Sequence, residues 1–293
     1  VGLKADAEGV VVSCGTQDVG NGSRSTLAHV VAEGLGLPLA KVAVRLGDTD
    51  LPRGPMAAGS RTTATLVPAL EDAVGDLLDE VVAALREGGS PAELVDGRVR
   101  VGGVETPLLE LLARTGPLEV LGRRGPDRGG SFVPFAVGGL WIGRGLAGAL
   151  ILTEVEVDSR LGRVVPLRVW AGYGVGRVAV PTLARSQALG GVIQGLSYGL
   201  YEERRLDPHT GRVLTRGLED YRIAGLGDTP EIVTEFVDEG WDHVPGGSVG
   251  LGELATVGVV ASLANAVRHA TGWRPLELPI RPDRVLAGLG SPS

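Results

Sequence analysis

The sequence predicts a layered fold of the α/β or α+β class, because apolar runs of strand length alternate with segments of helical period in both halves of the chain. The predicted strands are 9–14, 41–46, 149–157, 163–170 and 231–237. At 293 residues the chain lies in the size range where a single core begins to divide, so one large or two modest units are expected.

Helical segments are recognised by apolar residues at intervals of three and four. In the longest one such a series extends from Leu66 to Leu85, which is typical of an amphipathic helix that covers a sheet. Helices are predicted over 25–36, 64–86, 183–203 and 254–270.

The segment 122–131 is predicted to separate two subdomains. Glycine, proline and arginine concentrate there without apolar periodicity, as in a linker. The expected subdomains are therefore 1–130 and 131–293.

Composition excludes several classes of function. The net charge of -7 argues against nucleic acid, because phosphate binding needs a concentrated basic face. No apolar run reaches the roughly 18 to 20 residues of a membrane helix, and the first residues do not resemble a signal peptide. A soluble chain that uses neither a membrane nor nucleic acid is expected, and the strand-like start just after Val1 suggests a piece of a longer polypeptide or complex.

Cysteine and histidine do not form a metal site by their spacing. Cys14 is the single cysteine, so it forms no internal disulfide and holds no iron–sulfur cluster or thiolate zinc. A reducing, cytoplasmic setting is expected. The histidines lack metal-ligand spacing and are interpreted as surface or packing residues: His29, His209, His243 and His269.

A glycine-rich turn after the strand at 163–170 superficially suggests dinucleotide binding. Gly172 and Gly174 are followed by Arg177 where a third glycine is required, and no acidic residue lies about 20 positions on. A nicotinamide cofactor is therefore not predicted.

Two glycine- and hydroxyl-rich runs precede predicted helices. Exposed backbone donors and hydroxyls there suit an anionic or polar cofactor, although each run is equally compatible with an N-cap cluster. The candidate residues are Gly20, Asn21 and Gly22 in the first run, and Gly59, Ser60, Arg61, Thr62 and Thr63 in the second.

Gln194 interrupts an otherwise apolar, glycine-flanked run at 190–203. A primary amide donates and accepts at once, which suits recognition of a heterocycle edge or an oxo ligand. The alternative is a buried glutamine whose amide is satisfied by the backbone.

Glu253 follows Gly250 and Gly252, which permit a tight turn, and it opens a predicted helix. One interpretation is a first-turn acid, which stabilises a helix by a few tenths of a kcal/mol to about 1 kcal/mol. The other is a functional carboxylate.

The order of these runs resembles the second, C-terminal molybdopterin-binding domain of the xanthine oxidase and aldehyde oxidase family, from nearly the first residue to the last. The runs similar to that family are GTQDVGNG, GSRTTAT, LTEVEVDSRLGRV, GGVIQG and GLGELATVG. The resemblance implies an α+β fold of layered α/β subdomains and a molybdenum ion held by the dithiolene of a pterin, with a cytosine dinucleotide as one form of that cofactor.

The resemblance also assigns roles to residues. It makes Glu253 the general base that removes a proton from hydroxide on molybdenum, while hydride passes to a sulfido ligand. Gln194 would contact the cofactor, and Asn21 would lie near the oxo ligand. In the same resemblance the pterin would be bound by Ser60, Arg61 and Thr62. The backbone would approach the cofactor closely at Gly20, Gly22, Gly59 and Gly195.

The function implied is part of a hydroxylase that oxidises an aldehyde or N-heterocycle with oxygen from water. The implied partners are a first molybdopterin-binding domain, an iron–sulfur subunit and a flavoprotein with FAD, and the isolated chain is expected to be inactive. The alternative is a non-catalytic structural or assembly module that keeps the fold without molybdenum.

Overall fold

The structure, a computed structural model, describes residues 1–84, 92–101, 103–124 and 146–290. The predicted subdomain boundary near 130 and the last two residues of the predicted helix 64–86 lie outside the described residues. The chain forms two compact units, and each is discontinuous in sequence. Unit one comprises Val1–Leu146, Val175–Leu183 and Asp238–Gly250; unit two comprises Ala147–Gly174, Ala184–Val237 and Leu251–Ser293.

Unit one contains two sheets and three helices among its described residues. In chain order its elements are β1 Gly2–Asp6, β2 Gly9–Cys14, α1 Ser23–Leu35, β3 Val42–Leu46, α2 Thr62–Ala84, β4 Ala92–Val95, β5 Arg98–Val101, β6 Val104–Pro107, α3 Leu108–Thr115 and β7 Leu118–Leu121. The larger sheet has the order β3-β2-β1-β7, and the smaller has β4-β5-β6. Among the described strands of unit one, β2 and β3 form the parallel pair, because α1 connects those two strands.

The core of unit one lies between the larger sheet and its helices. Every second residue of β2 is buried, the period of a strand with one face in a core. Leu70, Leu77 and Val81 of α2 are fully buried at helical intervals, and complete burial of such a side chain contributes about 1.5–3 kcal/mol.

Two later segments belong to unit one because they bind each other and α2. The Val249 N–H donates to the carbonyl of Val175 at 3.0 Å. Arg177 forms an ion pair with Glu71 of α2. These contacts explain why unit one includes 175–183 and 238–250, an arrangement that apolar periodicity does not indicate.

Unit two is a three-stranded sheet with helices. Its elements are β8 Gly148–Asp158, β9 Arg163–Gly174, α4 Pro181–Leu200 (from Ala184 onward), β10 Glu231–Val237, α5 Leu254–Val257, α6 Val259–Thr271 and α7 Pro282–Gly290. The sheet order is β10-β9-β8. Helix α6 packs on this sheet, where the hydroxyls of Thr153 and Ser262 lie 2.8 Å apart.

The predicted α+β class is confirmed, and each of the five predicted strands is present with ends shifted by at most a few residues. One helix prediction is corrected: 254–270 is not continuous but divides into α5 and α6 at Gly258. Glycine weakens a helix, and the hydroxyls of Tyr173 and Tyr198 bind the carbonyls of Ala255 and Thr256, which a continuous helix would use internally.

Candidate functional site

The first candidate run of unit one forms a loop that is organised by Asp18. One carboxylate oxygen of Asp18 accepts the Gly20 N–H at 3.0 Å, and the other accepts the Arg24 N–H at 2.9 Å. The Asn21 amide oxygen accepts the Ser23 hydroxyl at 2.9 Å. The helix N-terminus is therefore capped by Asp18, which supports the N-cap interpretation for part of this run and leaves Asn21 half-buried beside it.

The segments that precede the two candidate runs lie against each other, although they are about forty residues apart in sequence. The Thr16 hydroxyl donates to the Pro55 carbonyl at 2.6 Å, and the Gln17 amide oxygen accepts the Ala57 N–H at 3.1 Å. Thr16 and Gln17 were not singled out from sequence. Their polar side chains directly before the glycines were the available signal.

The turn that leads into α2 has an unusual backbone. Gly59 and Ser60 both have positive φ, 64° and 52°, and only glycine adopts this conformation without strain. The Ser60 carbonyl oxygen lies so close to Gly250 that a Cβ at residue 250 would be 2.3 Å from it. Within unit one, the turn at 59–60 thus contacts the end of segment 238–250. Glu253 follows that segment three residues later in sequence.

Arg61 and Thr62 complete this turn. The Arg61 guanidinium is exposed and its Nε donates to the Ala58 carbonyl at 3.0 Å. Thr62 is buried and begins α2. Only Arg61 of the two offers its side chain to a ligand from solvent.

Gln194 of unit two lies beside a stripe of glycines on α4. A Cβ at Gly191, Gly195 or Gly199 would lie 2.4, 2.5 or 2.9 Å from Ala255, Val259 or Leu263. The glycines therefore allow close packing of α4 on α5 and α6, which accounts for Gly195 without a ligand. Gln194 itself is exposed, so the alternative of a buried glutamine satisfied by the backbone is wrong.

Glu253 occupies the N-cap position of α5, a helix of four residues, and its side chain is exposed. The carboxylate makes no capping hydrogen bond to this helix. The first-turn acid interpretation rests on the helix dipole and needs no such bond, so it stays open.

Tyr173 of β9 holds the backbone of α5 in place by a hydrogen bond. Tyr173 is fully buried and donates to the Ala255 carbonyl at 3.5 Å. Burial raises the pKa of Tyr173 to about 12, so the hydroxyl keeps its proton and remains a donor. Next to this anchor, the Thr256 hydroxyl lies 3.5 Å from the Gln194 amide oxygen. Tyr173 lies outside the family motifs, and Thr256 lies inside one without an assigned role, because only the fold brings Tyr173 and Gln194 to α5.

The donors of unit one fit an anionic, polar cofactor. Gly20 has a φ of 91°, and a Cβ there would meet nothing within 4 Å, so the backbone is open at this point. Hydroxyl, amide and guanidinium groups surround the two runs. Across the described ranges, no three or more His, Cys, Asp or Glu side chains form a group that could hold a metal ion.

These features define a cofactor-binding domain of an α+β fold. The sequence profile described as the molybdopterin cofactor-binding domain matches residues 1–230, and the chain belongs to that family. The resemblance inferred from the order of the motifs is confirmed.

Curated relatives include two molybdenum-binding subunits. The chain is 30% identical over 279 residues to the aldehyde oxidoreductase molybdenum-binding subunit PaoC of Escherichia coli (strain K12), which covers 94% of this chain and 36% of the relative. It is 30% identical over 290 residues to the xanthine dehydrogenase molybdenum-binding subunit of Escherichia coli O157:H7, covering 95% and 38%. The chain thus spans less than two fifths of the length of these relatives.

Solved structures share the fold. Quinoline 2-oxidoreductase from Pseudomonas putida 86 matches with a TM-score of 0.79 and 24% identity over 100% of this chain and 38% of that one. Reconstituted CO dehydrogenase from Oligotropha carboxidovorans matches with a TM-score of 0.79 and 22% identity. This match covers 98% of this chain and 36% of that one. Among the helices described, none is both long and apolar enough to cross a membrane.

Proposed function

We propose that this chain is the molybdenum-cofactor-binding part of a hydroxylase that oxidises an aldehyde or an N-heterocycle with oxygen derived from water. The observation that supports this most directly is the close approach of Ser60 to Gly250, which joins a family cofactor segment to the segment that precedes Glu253. Relatives named for aldehyde and xanthine oxidation support the substrate class.

In this proposal the two runs of unit one hold the cofactor through backbone donors and polar side chains. The left-handed backbone at Gly59 and Ser60 and the open backbone at Gly20 permit close approach. The residues assigned are Gly20, Asn21, Gly22, Gly59, Ser60, Arg61 and Thr62. Gly195 was assigned with them by the resemblance, but its packing on Val259 is sufficient to explain it.

The bound cofactor supplies molybdenum, which accepts two electrons and activates oxygen from water. Glu253 acts as the general base, because its carboxylate can accept a proton and is exposed at the start of α5. Gln194 presents its exposed amide to the cofactor.

The remaining parts of the enzyme belong to other domains or subunits in this proposal. They are a first molybdopterin-binding domain, an iron–sulfur subunit and a flavoprotein with FAD, since relatives are named as subunits. We also propose the cytosine dinucleotide form of the cofactor. A cytoplasmic setting is proposed because the described sequence has a single cysteine, Cys14, as is common for proteins of reducing compartments.

The test is Glu253→Gln in the assembled complex, with Glu235→Gln at an exposed strand position as the matched control. The amide keeps the shape of the side chain but cannot accept the proton, so turnover should fall about 10²- to 10⁴-fold, the range of lost general-base catalysis. Molybdenum and pterin content should match wild type, because Glu253 is not proposed as a metal ligand. The Glu235 variant should turn over normally.

Two results would contradict this proposal. Near-normal turnover by a fully loaded Glu253→Gln complex would remove the catalytic assignment. A correctly assembled complex that never contains molybdenum would favour the non-catalytic module.

A further inference from the structure

We propose that Thr256 is a positioning residue that restrains the Gln194 amide and leaves its NH₂ end to face the cofactor. This inference rests on the proposed function, because it takes Gln194 as a cofactor contact. It adds a residue from α5 that lies outside the motif residues assigned above.

The geometry begins with the contact between two side chains. The Thr256 Oγ1 lies 3.5 Å from the Gln194 Oε1, and the hydroxyl is the donor of this pair because the amide oxygen only accepts. Within the part of the chain that the structure describes, the Gln194 Nε2 has no hydrogen-bond partner in the protein. The contact therefore leaves the NH₂ end as the donor available to a ligand.

The two partners are held by close packing of their helices. Gly191 and Gly195 flank Gln194 in sequence and press α4 onto Ala255 and Val259. Tyr198 donates to the Thr256 carbonyl at 3.5 Å, and Tyr173 donates to that of Ala255 at the same distance. Both backbones are thus fixed, while the Gln194 side chain is exposed and would otherwise rotate.

Orientation matters because the two ends of an amide have opposite chemistry. An exposed glutamine loses rotamer freedom when it binds a ligand, and half of its amide orientations present oxygen rather than NH₂. An oxo or phosphate oxygen requires a donor. A hydroxyl that holds one end of the amide restrains the side chain before the cofactor binds, and in this structure it leaves the NH₂ end for the ligand.

The experiment is a double-mutant cycle in the assembled complex, and its main readout is the rate at which molybdenum and pterin are lost during dialysis. The variants are Thr256→Val, Gln194→Ala and their combination. Thr256→Val should accelerate cofactor loss about three- to tenfold, the range of one neutral hydrogen bond. In the Gln194→Ala background the same change should have no further effect, because Thr256 acts through Gln194.

Two control variants separate positioning from a change in stability. Thr256→Ser keeps the hydroxyl and should restore wild-type retention. Thr271→Val removes a hydroxyl that bonds the Val267 carbonyl at 2.7 Å elsewhere in unit two, and it should leave retention unchanged.

The outcomes distinguish this inference from the proposed function. If Gln194→Ala accelerates loss but Thr256→Val does not, Gln194 is a cofactor contact and the positioning role is wrong. The role is also wrong if the two effects simply add. If Gln194→Ala itself leaves retention unchanged, the assignment of Gln194 to the cofactor fails, and the inference fails with it.

Discussion

Asp228 accepts hydrogen bonds from three donors of unit two. Its carboxylate accepts the Gly225 N–H at 3.0 Å, the Tyr201 hydroxyl at 3.0 Å and an Arg222 N–H at 3.2 Å. The Arg222 guanidinium also stacks on the Tyr201 ring at 4.0 Å. Asp228 thus ties the segment after α4 back to the end of that helix.

Because these donors favour the ionised carboxylate of Asp228, the stability of unit two should depend on pH under acidic conditions. The hydrogen bond from the Gly225 backbone, with those from Tyr201 and Arg222, lowers the pKa of Asp228 below its ordinary value of 3.8. A lowered pKa contributes stability above the pKa of the unfolded chain, and this contribution is lost as pH falls through the folded pKa. The relevant window is therefore below about pH 4.

We expect Asp228→Asn to lower the free energy of unfolding at pH 7 by about 1 kcal/mol, since donors bind both carboxylate oxygens, the amide keeps only one acceptor, and the charge that Arg222 pairs with is lost. The difference between the variant and wild type should shrink as pH drops below about 4, where the wild-type carboxylate also becomes neutral. Urea unfolding at several pH values measures this. A difference that stays constant down to pH 2 would contradict the assignment.

At the scale of the element, helix α2 contains Pro68 in its interior. Proline has no N–H, so the Ala64 carbonyl loses its partner within the helix. The Arg124 guanidinium donates to this carbonyl at 2.8 Å and replaces the missing bond. A side chain sixty residues away in sequence thus completes the first turns of α2.

Removing that donor should weaken unit one. Arg124→Met keeps most of the length of the side chain and leaves the Ala64 carbonyl without this donor, which should cost about 1–3 kcal/mol of unfolding free energy. Arg53→Met, at an exposed loop position, is the matched control and should change stability by less than about 0.5 kcal/mol. Equal effects of the two changes would show that the Ala64 contact is unimportant.

The glycine stripe of α4 leads to a second prediction at this scale. A Cβ at Gly195 would lie 2.5 Å from Val259, and such overpacking costs about 1–3 kcal/mol. Gly195→Ala should therefore destabilise the chain even without any cofactor. At Gly190 of the same helix a Cβ would meet nothing within 4 Å, so Gly190→Ala should stabilise by about 0.5–1 kcal/mol.

Thermal unfolding of the cofactor-free chain compares these two variants directly. If Gly195→Ala leaves stability unchanged but reduces molybdenum in the complex, the close approach at residue 195 serves the cofactor rather than the packing.

Elements with strong periodicity were predictable, and short ones were not. Helix α2 and strands β8 to β10 have long periodic sequence patterns, so sequence locates them within a few residues. The hairpin strands β4, β5 and β6 have four residues each, too few to establish a period. The break at Gly258 depends on tyrosine hydroxyls from β9 and α4, contacts that no local pattern reveals.

At the scale of the whole molecule, the chain corresponds to less than two fifths of its curated relatives. We expect the isolated chain to fold, because each unit has its own sheet and buried residues. It should not oxidise an aldehyde with an artificial electron acceptor, because Cys14 alone provides no cluster for electron transfer. Circular dichroism and metal analysis of the purified chain check this, and stoichiometric molybdenum with activity would contradict it.

The candidate site was predictable to the extent that it consists of linear motifs. Gly59, Ser60 and Glu253 could be named from sequence because family segments contain them. Thr16, Gln17 and Thr256 lie in family segments too, but their contacts with residues distant in sequence could not be predicted from those segments. The division into discontinuous units was missed for the same reason.

The contact between α4 and α6 also constrains how related sequences can diverge. Because residue 195 faces Val259 at a distance that admits no extra carbon, a larger residue at 195 requires a smaller one at 259. We therefore expect these two positions to covary, so that relatives with alanine at 195 have alanine or glycine at 259. A smaller residue at 259 would have to appear before, or together with, a larger residue at 195. We therefore expect this helix pair to change slowly during evolution, and the neighbouring exposed positions to change faster.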